Sequence, residues 1–105
     1  MASIRIVEQL ALFVENRVGA WAAICDSLAQ ERMNIYGLSM SDPIDHAVVR
    51  MLVIDVQRAL AIFESCEMLV SESDVLMIES GNHPVGFSRI VKTLAEQKMN
   101  IEYCY

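Results

Sequence analysis

Cysteine and histidine have the most reactive side chains in this chain, and neither type is arranged for catalysis or metal binding. The chain has three cysteines, Cys25, Cys66 and Cys104, and no two of them have CxxC spacing. An odd number without this spacing favours reduced thiols that act as small apolar residues. His46 and His83 stand at unrelated spacings, and no nucleophile-elbow, Walker-loop or metal-ligand pattern includes them. We therefore predict no catalytic residue, no metal site and no cofactor. An enzyme is the weakest functional hypothesis.

Two short loops have residues that suit special backbone conformations. Glycine supplies unusual backbone angles, asparagine tolerates them, and proline presets a turn or the first position of a helix. The first loop consists of Asn16, Arg17, Val18, Gly19 and Ala20, and the second of Gly81, Asn82, His83, Pro84, Val85 and Gly86.

The two loops belong to an internal repeat, the feature that most constrains the fold. A shift of 66 positions lays residues 10–39 over residues 76–105 without a gap. Identical residues fall at the pairs Leu10/Leu76, Asn16/Asn82, Ile24/Ile90, Leu28/Leu94, Ala29/Ala95, Met33/Met99, Asn34/Asn100 and Ile35/Ile101. Most of these positions are apolar, as expected for a repeated structural unit.

In each copy an apolar strand is predicted before the loop, at residues 6–14 and 75–78, and a helix after it. Apolar residues spaced i, i+3, i+4, i+7 predict one stripe per helix that faces a sheet. The stripes are Trp21, Ile24, Cys25 and Leu28 in the first helix, and Phe87, Ile90, Val91 and Leu94 in the second. Each helix stops at Met-Asn-Ile, where we expect Asn34 and Asn100 to be C-terminal caps.

Between the copies, the sequence predicts a strand at residues 47–54, a helix at 56–65 with Asp55 as its N-cap, and a short strand at 68–70. The order for residues 1–72 is then β-α-β-β-α-β, an α+β ferredoxin-like sandwich with its helices on one face of an antiparallel sheet. Residues 73–105 follow as a partial second domain, a βαβ half-repeat.

Composition limits the classes of function. The chain has 105 residues, 54% of them hydrophobic, which is enough for one compact core. A net charge of −6 without a basic cluster argues against nucleic-acid binding. We find no signal peptide and no apolar run of about 20 residues that could span a membrane. The protein is expected to be soluble and cytoplasmic, with no membrane partner.

The stretch from Val14 to Gly19, the helix after it and Met33-Asn34-Ile35 together resemble the ACT domain, a small amino-acid-binding regulatory module of metabolic enzymes. Its pattern is an Asn or Asp, a variable or basic residue, Pro-Gly, a helix, and then Asn-Ile at the start of the second strand. The resemblance covers essentially the whole chain. Two copies in one short chain resemble free-standing tandem ACT proteins.

The resemblance implies a small regulatory or sensory protein that binds an amino acid at an interface between ACT units and modulates an enzyme of amino-acid metabolism. Backbone N–H groups of the loop would hold the ligand carboxylate, and a side-chain or backbone oxygen its ammonium group. The implied ligand-binding residues are Asn16, Arg17, Val18, Gly19, Ala20, Asn34 and Ile35 in the first copy, and Asn82, His83, Pro84, Val85, Gly86, Asn100 and Ile101 in the second.

The two loops depart from the family pattern in different ways. The first has Val18 where proline is usual, and the second has Val85 where the first glycine would stand. A side chain at the second position can obstruct a ligand that approaches the backbone. The first loop is therefore the better predicted site.

The second copy has no third strand, second helix or fourth strand within the sequence. Such a half-domain leaves a gap one strand wide with unpaired backbone groups. Either the chain has been cut or a strand from a second chain completes the sheet, and we favour association as a homo-oligomer, most simply a dimer.

Val85 and the half-copy also support a different class of function. In this alternative, the protein is an ACT-like oligomerisation or docking module that binds no ligand. No single residue decides between ligand binding and assembly. A glycine can be present simply because a turn needs it, and an asparagine simply because it caps a helix.

Overall fold

A computed structural model describes residues 3–15, 17–41 and 46–105, with the backbone alone for His46. The elements in chain order are β1 (Ser3–Glu15), α1 (Ala20–Gln30), β2 (Ile35–Met40), β3 (His46–Val53), α2 (Val56–Ser65), β4 (Val70–Glu79) and α3 (Pro84–Glu96). No helix in the described part of the chain is long and apolar enough to cross a membrane.

The strands form one sheet in the order β2-β3-β1-β4. The central strands β1 and β3 are antiparallel, with Leu10 opposite Met51 and Val14 opposite Ala47. On the side of β3 away from β1, strand β2 pairs with β3 in an antiparallel sense, with a register shift between Ile35 and Gly37. The first six elements thus confirm the predicted ferredoxin-like β-α-β-β-α-β order.

The hydrophobic core lies between the sheet and helices α1 and α2. Because successive side chains of a strand point to opposite faces, alternate residues of β1 and β3 enter the core. The core side chains are Leu10, Leu12, Val14, Ala47, Val49, Met51 and Val53 from the sheet, Ala20, Ile24 and Leu28 from α1, Ala59 and Phe63 from α2, and Met33. Burial of this one face fixes the register of the sheet.

Strand β4 differs from the prediction. Separate strands were predicted at residues 68–70 and 75–78, but one continuous strand spans Val70–Glu79. The 13-residue β1 is long enough to run beside it: the Phe13 N–H donates to the Leu69 carbonyl (3.2 Å), and Gln9 Nε2 donates to Ser73 Oγ (3.2 Å). The polar residues 71–74 had suggested a break between two strands. They contain no glycine or proline, and their polarity alone does not end the strand.

Contacts group the chain into two units. The larger unit is Val7–Val75, and the smaller unit is Met1–Ile6 with Leu76–Tyr105. Strands β1 and β4 contribute residues to both. In the smaller unit Arg5 forms an ion pair with Glu79 (3.8 Å). The division of the repeated pattern after residue 72 stays a prediction.

Helix α2 matches its prediction, whereas the C-terminal caps of α1 and α3 do not. The Asp55 side chain accepts a hydrogen bond from the Arg58 N–H (3.2 Å), as expected of an N-cap. All three helices end with a left-handed non-glycine residue followed by methionine: Arg32-Met33, Glu67-Met68 and Lys98-Met99.

The end of α1 shows why Asn34 was the wrong choice for a cap. The Met33 N–H donates to the Leu28 carbonyl (2.9 Å), and the Arg32 N–H donates to the Ala29 carbonyl (3.0 Å). These two bonds form a Schellman motif, with Arg32 in the left-handed conformation at φ 54°. The same pair of bonds ends α3 at Lys98 and Met99, directly before Asn100.

The half-repeat is formed only in part. Strand β4 and helix α3 are present, but the strand predicted at residues 101–105 is not formed. In the larger unit the equivalent strand β2 pairs with β3, and the described residues of the smaller unit include no counterpart of β3.

Arg32→Gly should stabilise the fold by about 1 kcal/mol, because a residue with a Cβ atom is strained in the left-handed conformation and glycine is not. Urea unfolding followed by circular dichroism would measure the change. Asn34→Gly is the matched control and should not stabilise, since Asn34 has no positive φ. Equal stabilisation by both variants would contradict the assignment of Arg32 as the cap.

Candidate functional site

An open groove of about 550 Å³ lies in the larger unit beside the first turns of α1. Its walls come from the end of β1, one side of α1, and the segment that joins α2 to β4. The lining residues are Phe13, Val14, Glu15, Arg17, Ala20, Ala23, Ile24, Ser27, Cys66, Glu67, Met68 and Leu69.

Small side chains keep the α1 wall open. Ala20, Ala23 and Ser27 follow one another at spacings of three and four, so they lie on one side of the helix next to its apolar stripe. The Ser27 hydroxyl donates to the Ala23 carbonyl (3.1 Å) and therefore lies close to the helix. Sequence reasoning missed this wall, although the small-residue spacing was a readable signal. The wall at Cys66–Leu69 had no sequence signal, because it depends on the path of the chain between α2 and β4.

The mouth of the groove has charges of both signs. Arg17 Nε donates to Glu15 Oε2 at 2.9 Å, and both side chains are about two-thirds exposed. Glu67 lines the opposite wall, where its left-handed backbone (φ 56°) ends α2. A zwitterionic ligand would therefore meet one cation and two carboxylates.

The N-terminus of α1 has unsatisfied backbone donors. Gly19, the N-cap, has φ 88°, a conformation that favours glycine, and it offers no side chain to cap the helix. Among the described residues, Ala20 N–H donates to the Arg17 carbonyl (3.3 Å), but no acceptor occurs for the N–H groups of Trp21 and Ala22. These donors and the positive end of the helix dipole suit a carboxylate.

The N-terminus of α3, the second predicted loop, is closed by its own residues. Pro84 occupies the first helical position and has no N–H. His83 Nδ1 accepts a hydrogen bond from the Gly86 N–H (3.1 Å) and caps the helix. A Cβ atom at Gly81 or Gly86 would come within 3.1 Å of the His83 ring, so both glycines make room for this cap. Val85 is exposed in the first turn of the helix.

The structure brings only some of the predicted ligand residues to the groove. Arg17 and Ala20 line it, whereas Val18 is fully exposed. Asn34 and Ile35 follow the far end of α1 and do not line it, and Asn82, Asn100 and Ile101 are exposed in the smaller unit. Asn16 lies outside the described residues. The ligand roles of all these residues stay predictions.

The cysteines are free thiols. Burial, followed by the negative charge of Asp26, raises the pKa of the Cys25 thiol, so it is protonated at neutral pH and weakly reactive. Among the described residues, no group of three His, Cys, Asp or Glu side chains is placed to hold a metal ion.

A β-α-β-β-α-β order with the helices packed on an antiparallel sheet defines a ferredoxin-like type of domain. A sequence model of the ACT domain pair matches residues 5–105, and the chain belongs to this family. ACT domains are regulatory modules. Comparison with curated protein sequences gave no significant match.

Solved structures show the same fold. Protein BT0572 from Bacteroides thetaiotaomicron is 26% identical with a TM-score of 0.89, over 97% of this chain and 71% of that chain. The regulatory subunit of aspartate kinase from Thermus flavus is 17% identical with a TM-score of 0.68, over 97% and 78%. The ACT domain of prephenate dehydrogenase from Bacillus anthracis is 20% identical with a TM-score of 0.53, over 60% and 99%.

A second polar cluster lies away from the groove, where β1 runs beside β4. Glu8, Glu72 and Asp74 place three carboxylates close together. A hydrogen bond with the Glu72 carboxyl raises the pKa of Glu8, and loss of hydration and the negative charges of Glu72 and Asp74 raise it further. Like charges on neighbouring strands destabilise a sheet when all are ionised.

Glu8→Gln should raise the melting temperature at pH 7, because it removes one carboxyl group from a cluster of three. The raised pKa means that protonated Glu8 favours the folded state at low pH, and this contribution is lost as pH rises through the folded pKa. The advantage of the variant should therefore shrink towards pH 4 and in high salt. Melting curves against pH, with Glu96→Gln as a control of equal charge change, would measure it. An equal effect of both variants would contradict local repulsion.

Proposed function

We propose that this protein is a regulatory module that binds a small amino acid in the groove beside α1 and modulates an enzyme of amino-acid metabolism. The observation that carries the proposal is the groove beside the first turns of α1, which is lined by one cation and two carboxylates and adjoins a helix N-terminus without a side-chain cap. Membership of the ACT domain pair family supports it.

The groove suits both charged ends of an amino acid. The N–H groups of Trp21 and Ala22 would donate hydrogen bonds to the ligand carboxylate, assisted by the helix dipole and the nearby Arg17 guanidinium. The ligand ammonium would then lie towards Glu15 or Glu67. Both glutamates line the groove, so the two ends need not compete for one site.

Size and shape favour a small ligand that is covered by a second domain. A volume of about 550 Å³ lies in the usual range of small-molecule sites. Phe13, Met68 and Leu69 supply an apolar wall for a side chain. Because the groove is open, a second ACT unit could close it, which fits the predicted site at an interface between units. One structural neighbour, from Thermus flavus, is named as the regulatory subunit of aspartate kinase, and another, from Bacillus anthracis, as the ACT domain of prephenate dehydrogenase.

An assembly module without a ligand is the second candidate function. The capped N-terminus of α3 favours it for the second copy, because His83 and Pro84 remove donors that remain available at α1. The two functions can coexist in one chain. We propose the first copy for ligand binding and the second for assembly.

A thermal shift screen with the twenty amino acids at millimolar concentration should show that one or a few raise the melting temperature, since ligand binding stabilises the folded state by mass action. The decarboxylated amine of each active compound should give no shift, because it lacks the group held by α1. Absence of any shift would overturn ligand binding and leave the assembly module.

Ala23→Leu tests the location of the site. The larger side chain should fill the groove and weaken binding at least tenfold by calorimetry, while the unliganded protein keeps its melting temperature because Ala23 is exposed. Ala29→Leu is the matched control, the same change at an exposed position of the same helix outside the groove. Equal affinity of the two variants would place the site elsewhere.

A further inference from the structure

The groove beside α1 changes in polarity between its mouth and its floor. Arg17 and Glu15, at the mouth, are about two-thirds exposed and form an ion pair with each other. The lining residues that are buried are Val14, Ala20 and Ile24, which are 4%, 8% and 8% exposed. All three are apolar and belong to the hydrophobic core of the larger unit. The floor of the groove is therefore part of the surface of that core.

In the described part of the chain, no buried polar side chain lines this floor. Gln9 is the buried polar residue there, and it does not line the groove. Ser27 does line the groove, but its hydroxyl already donates to the Ala23 carbonyl at 3.1 Å. Cys66 is exposed, and a thiol is a weak hydrogen-bonding group. A polar group that enters the floor would thus lose hydrogen bonds to water without gaining a buried partner.

The charged groups at the mouth match the two charged ends of an amino acid and leave none for its side chain. Glu67 forms no ion pair with the residues that the structure describes, so it can pair with the ligand ammonium. Arg17 is the lining cation, and its guanidinium has enough N–H groups to serve both Glu15 and the ligand carboxylate. With both ends held at the mouth, the ligand side chain extends to the apolar floor.

We propose that the groove selects amino acids whose side chains have no hydrogen-bonding group, such as valine, leucine, isoleucine and methionine. The inference rests on the proposed function, because it names the ligand class of the same groove. Val14, Ile24 and the half-buried Met68 contact the ligand side chain, and burial of its apolar surface favours binding. A hydroxyl, amide or charge on that side chain weakens binding, because the floor has no buried partner for it.

Calorimetric titration of the whole chain with amino acids of similar shape tests this selection. Valine should bind on the order of tenfold to a hundredfold more tightly than threonine, and leucine more tightly than asparagine by a similar factor. All compounds that are active in the thermal shift screen should have apolar side chains. Equal or tighter binding of the polar member of either pair would overturn the inference and leave the proposed function intact. If none of the twenty amino acids binds, both fail.

Met68→Gln tests which residues form the selective wall. The new amide should narrow the difference in affinity between valine and threonine roughly fivefold, because it gives the threonine hydroxyl a hydrogen-bond partner. The Met68 N–H donates to the Phe63 carbonyl (3.0 Å), and the variant keeps this backbone bond. Circular dichroism would verify that the variant folds.

Met40→Gln is the matched control, the same change at an exposed methionine of β2 that does not line the groove. It should keep the preference for valine over threonine. An unchanged preference in Met68→Gln, or equal narrowing in both variants, would overturn the assignment of the floor. Should Met68→Gln fail to fold, the amino-acid pairs measured on the original chain still test the inference.

Discussion

The pairing of β1 with β3 is the constraint on which the rest of the larger unit depends. Leu10 opposite Met51 and Val14 opposite Ala47 set one face of both strands towards the helices. Because side chains alternate, a slip of one residue would expose that whole face. With the face fixed, α1 and α2 must lie over it, and the groove forms where α1 leaves the end of β1. Among the described residues of the smaller unit no strand corresponds to β3, and Leu76, Phe87 and Met99 are exposed.

The N-termini of α1 and α3 have related sequences but differ in whether their backbone N–H groups are capped. At α1, glycine in a left-handed conformation offers no cap and leaves donors for another group. At α3, a histidine side chain accepts the Gly86 N–H, and a proline removes a further donor. The free energy of binding an anion is most favourable where the N–H donors have no other acceptor, since the anion then replaces no existing hydrogen bond. Chemistry at the loops therefore distinguishes the copies more sharply than the fold does.

Much of the fold could be predicted because it follows from periodicity and local caps. The stripe of α1, the N-cap Asp55 and the bounds of α2 need only neighbours in sequence. The predictions failed where residues distant in sequence determine the structure. Strand β4 is continuous because the long β1 runs beside it, and the residues after Lys98 are not a strand. For the same reason, only part of the groove could be predicted from the sequence. Its loop and α1 could be read locally, but the wall at Cys66–Leu69 depends on tertiary packing.

A repeat in sequence can reflect shared folding or shared binding, and the structure separates the two for several positions. Met33 and Met99 each follow a left-handed residue and donate to a carbonyl of the last helical turn, so their repetition follows from folding. The side chains of Asn34 and Asn100 cap neither helix, and folding by capping does not account for them. Where the copies differ, at residues 18–20 against 84–86, the helix N-terminus changes from open to closed. Conformity at Met33 and Met99 therefore follows from the common fold, whereas the departure at residues 84–86 changes which N–H groups are available at the helix N-terminus.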